Sequence, residues 1–353
     1  MEPPSADHRT RNNRVISGPA PSRWIRALLK SLGPGIITGA ADDDPSGIAT
    51  YSIAGAQLGT KLLWTALLTW PLLAAVQMMC ARIGKVTGQG LAANLQQRFP
   101  KWLLLAFVIA LLVANTINIG GDLAGMADAA SMLSGIDSHW FVVAFAILIS
   151  WATIRLQYHQ IANVLKWLVL VLFAYPVTAF VVGANWGQVL RDTLIPSVPH
   201  TRNEWATLVA ILGTTISPYL FFWQASEEVE EEKSAGQSTL AKRRGATTEE
   251  LDLRNIDVGV GAFFSNTVMF FIILTTAITL NRHGLTDIET SRQAAEALRP
   301  FAGNFATTVF TLGIVGVGFL AIPTLAGSAA YAFAETLGWR QGLNKKLRQA
   351  RWF

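Results

Sequence analysis

Three consecutive carboxylates followed by a proline, Asp42-Asp43-Asp44-Pro45, interrupt an apolar stretch that begins at Gly33-Pro34-Gly35. Each ionised carboxylate at the centre of a bilayer costs at least ~2.5 kcal/mol. A cluster kept there at that cost points to function, with a cation as its natural partner. Asp44-Pro45 also reads as an N-cap followed by proline at N1, which opens a new half-helix. Asp44, at the break, is the principal candidate ligand. Ser46 and Gly47 follow at once, one offering an oxygen and the other making room. Asp42 and Asp43 are expected to line the approach, or to be hydrated in a cytoplasmic vestibule. A second apolar stretch breaks at Gly213-Thr214-Thr215-Ile216-Ser217-Pro218-Tyr219. Thr214, Ser217 and Tyr219 present only hard, neutral oxygens, and no Met, Cys or His lies at this break. Carboxylate, carbonyl and water suit magnesium, calcium or manganese, whereas sulfur and imidazole favour transition metals. One carboxylate and a few oxygens in a roomy site fit Mg²⁺, which keeps several of its waters.

Other polar groups fall inside apolar blocks. Asp122 lies in Asn118-Ile119-Gly120-Gly121-Asp122, and Asn115, seven residues earlier on the same helical face, is placed to bond it or to line a cavity. An intramembrane Asp is a functional hypothesis by default. Ser265-Asn266 reads as a polar packing contact. Gln224 follows the second break by two turns. The run Glu227-Glu228-Val229-Glu230-Glu231-Glu232 reads as a solvated helix extension and loop, with an acidic vestibule as the other reading. The five histidines make no metal-ligand spacing, and the single cysteine, Cys80, excludes a disulfide framework. No catalytic constellation, resident cofactor or nucleic-acid motif is legible.

Helices must position these groups across a membrane. The chain has 353 residues, 51% hydrophobic and 14% charged, with mean hydropathy +0.37. An average soluble domain carries roughly 25% charged residues, so a disordered chain or an ordinary soluble enzyme is a poor fit. Eight spans are expected, near 32–58, 62–83, 102–133, 139–156, 161–183, 205–226, 256–280 and 302–334. Trp24, Trp102, Trp140, Trp186 and Trp205 lie near block ends, as in interfacial belts. Net charge is +5, and the basic joints at 84–101, 155–166 and after 336 share a side with the Arg-rich N-terminus. The positive-inside rule then places both termini in the cytoplasm of a plasma (inner) membrane protein. The N-terminus has no apolar signal-peptide core. The expected organisation is a basic tail (1–30), a first repeat of spans one to five (31–183), an external loop (184–204), an incomplete second repeat (205–336) with a cytoplasmic loop at 227–255, and a basic segment (337–353). Breaks in spans one and six fit an inverted pair of five-helix repeats, because five crossings reverse the direction of the second copy.

On these residues the sequence resembles the NRAMP family of divalent-metal transporters, from Gly33-Pro34-Gly35 to the end. The resemblance implies an all-α, LeuT-like inverted-repeat fold. It aligns the family's metal-binding Asp with Asp44 and its Asn with Gly47, so that side-chain ligand is lost. The family's Met-Pro-His falls on Ser217-Pro218-Tyr219, and its carbonyl ligand on Thr214. A second histidine linked to proton transfer falls on Gln224. The third-span Asp-Leu-Ala-Glu becomes Asp122-Leu123-Ala124-Gly125, and an upstream Glu becomes Asn115. Soft ligand and proton-pathway groups are thus missing together, as in the NRAMP-related magnesium transporters. The family fold needs ten core helices, so eight spans imply a second repeat without its ninth and tenth.

The reading is therefore Mg²⁺ uptake, with Mn²⁺ second, by alternating access without strong proton coupling. Asp44 is the main ligand, with Ser46, Gly47, Thr214 and Ser217 around it. Asp42, Asp43, Asn115, Asp122, Tyr219 and Gln224 serve as vestibule or relay. A proton-coupled Mn²⁺/Fe²⁺ transporter, an organic-substrate transporter and a non-transporting membrane scaffold remain alternatives. The sequence carries no signal of oligomeric state.

Overall fold

The computed structural model describes residues 38–39, 41–155, 170–288, 291–343 and 350. The basic tail, Gly33-Pro34-Gly35, His159, Lys166 and the basic residues at 345–348 and 351 lie outside them. The first helical residues, 38–39 and 41–42, end at Asp43. Helix α1 (Pro45–Leu58) then restarts the span, with Asp44 as its N-cap and Pro45 in the first turn. There follow α2 (Trp64–Thr87), α3 (Lys101–Ser134), α4 (Ser138–Arg155), α5 (Ala174–Val182) and α6 (Trp186–Leu194). Helices α7 (Arg202–Thr215) and α8 (Pro218–Ser234) are the two halves of the second broken span. Helices α9 (Thr248–Thr279) and α10 (Ala306–Leu337) complete the set.

Among the described residues, six helical segments are long and apolar enough to cross a membrane: Trp64–Thr87, Lys101–Ser134, Ser138–Arg155, Arg202–Ser234, Thr248–His283 and Gly303–Leu337. They coincide with six of the eight expected spans. The other two, near 32–58 and 161–183, begin outside the described residues. Trp102 and Trp140 stand exposed at the starts of α3 and α4. Phe107, Ile117, Ile147 and Trp151 are exposed along the same helices. A bilayer is the solvent that such a surface fits.

Contact pairs give the topology. Met126 packs on Gly318, Thr311 donates to the Ala129 carbonyl, and Asn115 reaches Leu325, so α3 and α10 run antiparallel. The first span and α9 run side by side in the same direction. Gly39 lies against Gly261, Ser265 bonds Asp42, Gly55 meets Ile273, and Asn281 donates to the Ala56 carbonyl. Without a hydrophobic drive between helices in lipid, close backbone approach through small residues does this work. A Cβ on Gly39 would fall 2.3 Å from the Gly261 carbonyl oxygen, so only glycine lets the two backbones meet there. Thr69 on α2 donates to Asn266 Oδ1 at 2.6 Å, which makes the expected polar packing contact at Ser265-Asn266 a link between α2 and α9.

The expected loop at 227–255 is largely helical. Helix α8 runs on to Ser234, and α9 begins at Thr248 under a capping box of Thr247 and Glu250. Four of the five glutamates of α8 are not solvated either, Glu231 being the half-exposed one. Glu227, Glu228, Glu230 and Glu232 are all buried. Basic residues from three helices meet them. Arg254 on α9 pairs with Glu228 (2.9 Å), Glu231 and Asp257; Lys85 on α2 faces Glu232 (3.6 Å); Lys233 holds Glu230 (2.7 Å). The run reads as a solvated face because, apart from Lys233 beside it, its counter-charges are Lys85, 147 positions before Glu232, and Arg254 on the next helix. Gln224 belongs to this cluster, donating to Glu228 Oε1 at 2.9 Å.

Candidate functional site

Both breaks meet at the middle of the bundle. Proline at N1 has no N–H to lose, so Pro45 and Pro218 open the second half of each broken span without a helix penalty. Asp44 Oδ1 accepts the Gly47 N–H at 2.6 Å and the Ser46 hydroxyl at 2.9 Å. Asp44 Oδ2 accepts Asn118 Nδ2 at 2.7 Å. The same Ser46 hydroxyl lies 2.7 Å from Asn118 Oδ1, so one proton is shared between two acceptors. The Ser46 N–H donates to Asp122 Oδ1 at 3.0 Å. Asp44, Ser46, Asn118 and Asp122 therefore form one network, buried at the two acids and half-buried at Ser46 and Asn118, that joins α1 to α3.

The second break closes on this network across Gly47. A Cβ on Gly47 would lie 2.9 Å from Asp44 Oδ1 and 3.1 Å from Thr214 Oγ1. The missing side chain is thus the reason that Thr214 and Asp44 can come this close around Gly47. The Ser217 hydroxyl turns back on its own break, reaching the Thr214 carbonyl at 2.8 Å and the Gly213 carbonyl at 3.0 Å. Its lone pairs, rather than its proton, are what remain for another partner. Tyr219 donates to the Ala41 carbonyl at 3.2 Å, and Tyr51 bonds Thr215 at 2.9 Å, so the two breaks are tied together. A cavity of about 590 Å³ opens beside them, with Asn115, Asn118, Ser217 and Tyr219 at its polar end.

The structure places the other expected residues as follows. Asp42 and Asp43 are fully buried rather than hydrated, because the Gly39–Gly261 contact presses this segment onto α9. The Ser265 hydroxyl donates to Asp42 Oδ2 at 2.6 Å and lies 3.4 Å from Asp43 Oδ1. Asp42 Oδ1, Asp43 Oδ2 and Asp122 Oδ2 accept no hydrogen bond among the described residues. Asn115 does not bond Asp122. It donates to the Leu325 carbonyl and Ser328 on α10, while lining the cavity. Gln224 sits with the glutamates of α8, away from Asp44. Asn118 is the residue that sequence reasoning passed over. Its spacing four residues before Asp122 placed it on the same face of α3 and was the available signal.

Among the described residues, no group of three or more His, Cys, Asp or Glu side chains is arranged to hold a metal ion. No Lys or Arg pairs with Asp42, Asp43, Asp44 or Asp122 among them either. Three buried acids at the first helix break and a fourth, Asp122, on α3 have no basic partner among the described residues. The family model described as natural resistance-associated macrophage protein-like, Nramp, matches residues 35–353. The chain belongs to the Nramp family. It is 27% identical over 328 residues to the divalent metal cation transporter MntH of Yersinia enterocolitica, covering 90% of this chain and 75% of that one. It is 27% identical over 322 residues to the MntH of Caldanaerobacter subterraneus, covering 86% and 71%. The Eremococcus coleocola manganese transporter superposes with a TM-score of 0.72 at 19% identity, over 96% of this chain and 71% of that one. This Nramp chain thus has the LeuT-like helical fold expected from its two broken spans, and it is a multi-pass integral membrane protein.

Proposed function

We propose that this Nramp chain moves a hard divalent cation, Mg²⁺ or Mn²⁺, across the plasma membrane, with both termini in the cytoplasm. The observation that carries this reading is the buried Asp44 network with no basic counter-charge. Burying charge is tolerable only when it is compensated, and a mobile cation supplies the compensation that no side chain does. Asp44 is the anionic ligand, through the Oδ2 that it now lends to Asn118. Ser46, within hydrogen-bond range of Asp44, and Thr214 and Ser217 of the second break supply further oxygens, directly or through water. The donor set is all oxygen, which suits Mg²⁺ and Mn²⁺ alike. The adjoining cavity, with Asn115, Asn118, Ser217 and Tyr219 at its polar end, favours an ion that keeps part of its hydration shell, as in the magnesium-transporting branch. The relatives, divalent metal cation transporters and a manganese transporter, support Mn²⁺ as a substrate. In this reading the membrane potential drives uptake, at ~2.3 kcal/mol per charge per 100 mV, or about twice that for a divalent ion.

A second reading has one observation of its own. The unpartnered oxygens of Asp42, Asp43 and Asp122 would also suit protons that travel with the cation. Uptake of Mg²⁺ and Mn²⁺ into proteoliposomes, under an inside-negative potential and with a lumenal pH dye, separates the two. Mg²⁺ uptake without lumenal acidification is the expected result. Mn²⁺ uptake with acidification, and no Mg²⁺ uptake, would return the chain to the proton-coupled alternative. Uptake of neither ion would refute the transport reading for this chain.

A further inference from the structure

A second cavity, of about 260 Å³, lies between the first nine residues of α1 (45–53), the last third of α3, the segment 288–294 and the start of α10. Its floor includes Pro45 and Gly125, where a Cβ on Gly125 would stand 3.4 Å from Pro45 Cβ. Pro45 follows Asp44 directly, and Gly125 is three residues beyond Asp122. The cavity is therefore one residue layer away from the Asp44–Ser46–Asp122 network. At ~30 Å³ per water it holds roughly eight waters, more than the octahedral shell of a magnesium ion.

Asp128 is the one charged side chain lining this cavity among the described residues. It stands six residues beyond Asp122 on α3, and its Oδ2 accepts the Ser291 N–H at 2.9 Å. Ser52 and Ser291 are the hydroxyl-bearing groups of the lining, and Ala49, Ile53 and other apolar residues make the walls. Low-dielectric walls around a single sign of charge focus the field and enrich counter-ions. We propose that this cavity is the outer antechamber of the cation path and that Asp128 collects the hydrated cation there before it passes Pro45 to Asp44. The proposal rests on the cation-transport reading above. Holding the Ser291 amide does not account for the charge, because an asparagine oxygen would accept the same hydrogen bond.

The test separates charge from tethering, and it does not depend on transport. Cys80, the single native thiol, is buried, so Ala49→Cys places a reporter in the cavity wall, with Ile53→Cys as a second position. Purified protein in detergent is reacted with cationic and anionic methanethiosulfonates of similar size, and rates are normalised to a small free thiol. The cationic reagent is expected to lead by about tenfold. Adding Asp128→Asn should bring that ratio close to one. A ratio that Asp128→Asn leaves unchanged, or two reporters that do not react, would overturn the proposal. Alongside, Asp128→Asn should raise the KM for Mg²⁺ and Mn²⁺ several-fold at unchanged maximal rate. A normal KM in Asp128→Asn with a raised one in Asp128→Ala would reduce Asp128 to a tether and also overturn it. If the unsubstituted protein carries neither ion, the transport reading falls, and the labelling ratio still judges the antechamber.

Discussion

Replacing Asp44 by asparagine tests the site at its centre, because the network can absorb the change in everything but charge. The amide oxygen can keep both bonds of Oδ1, from the Gly47 N–H and the Ser46 hydroxyl. The new amide nitrogen would face Asn118 Nδ2, donor against donor. A flip of the Asn118 amide repairs this, since Ser46 Oγ can then accept from Asn118 rather than donate to it. The cap on α1 survives, so the stability cost should stay below about 1 kcal/mol. The loss in ion binding is another matter. A divalent ion 4 Å from a unit charge gains about 8 kcal/mol at an effective dielectric near 20. If only a third of that survives desolvation, affinity still falls about a hundredfold. Uptake of Mg²⁺ and Mn²⁺ by Asp44→Asn in proteoliposomes, with thermal unfolding in detergent as the control, reads both quantities. A folded variant that transports either ion at the unsubstituted rate and KM would refute the assignment of Asp44.

Three further perturbations follow from the contacts. Arg254→Met should cost about 3–5 kcal/mol, because it leaves Glu228 buried without its counter-ion; adding Glu228→Gln should recover part of the lost thermal stability, and an unchanged melting temperature in the single variant would contradict the burial. Gly39→Val should prevent the first span from docking on α9, since even a Cβ meets the Gly261 oxygen at 2.3 Å, and size-exclusion profiles in detergent should show loss of the monodisperse peak. Asn118→Ala removes the bonds to Asp44 and Ser46 and should cost about 1–2 kcal/mol of stability with a several-fold rise in KM for uptake; unchanged uptake would take Asn118 out of the site.

Both breaks are legible because a proline with polar neighbours, carboxylates at the first and hydroxyls at the second, violates the apolar pattern at two corresponding places, and the structure breaks the helices at those residues. Gly47 was legible for the same reason, as a residue with nothing to offer except space. What sequence could not give was the partner of each polar group. Asn115 and Asn118 lie three residues apart on α3 and look alike in the chain. One turns to α10 and the other to Asp44, a choice made by packing against helices some 70 and 210 positions away. Asp42 and Asp43 were assigned to a hydrated approach on the strength of their charge alone. The Gly39–Gly261 contact that buries them depends on a glycine in a distant helix.

Two acidic clusters in the same molecule show why charge without its surroundings is ambiguous. The α8 glutamates are more numerous and more conspicuous in the sequence than the aspartates of the first span. Yet Arg254, Lys85 and Lys233 reach them, from α9, α2 and their own helix. Glu228, Glu230, Glu231 and Glu232 thus have basic partners inside the protein and join α8 to its neighbours, while Glu227 makes no ion pair among the described residues. Asp42, Asp43, Asp44 and Asp122 receive hydroxyls and amides from Ser265, Ser46, Gly47 and Asn118, but no cation from the described residues. A hydrogen bond orients a carboxylate, but it leaves the net charge of the pocket in place. The unanswered cluster is the one at the helix breaks, where α7 presents the Gly213 and Thr214 carbonyls toward Ser217. Negative charge and carbonyl oxygen together ask for a positive ion from outside the chain. If that reasoning holds, placing a lysine beside the cluster, as in Ser265→Lys, should abolish uptake by supplying the missing charge in cis. The same substitution should leave a protein that folds at least as well as Ser265→Leu, in which the charge stays unanswered. A Ser265→Lys protein that folds and transports normally would show that the cluster does not work through its charge.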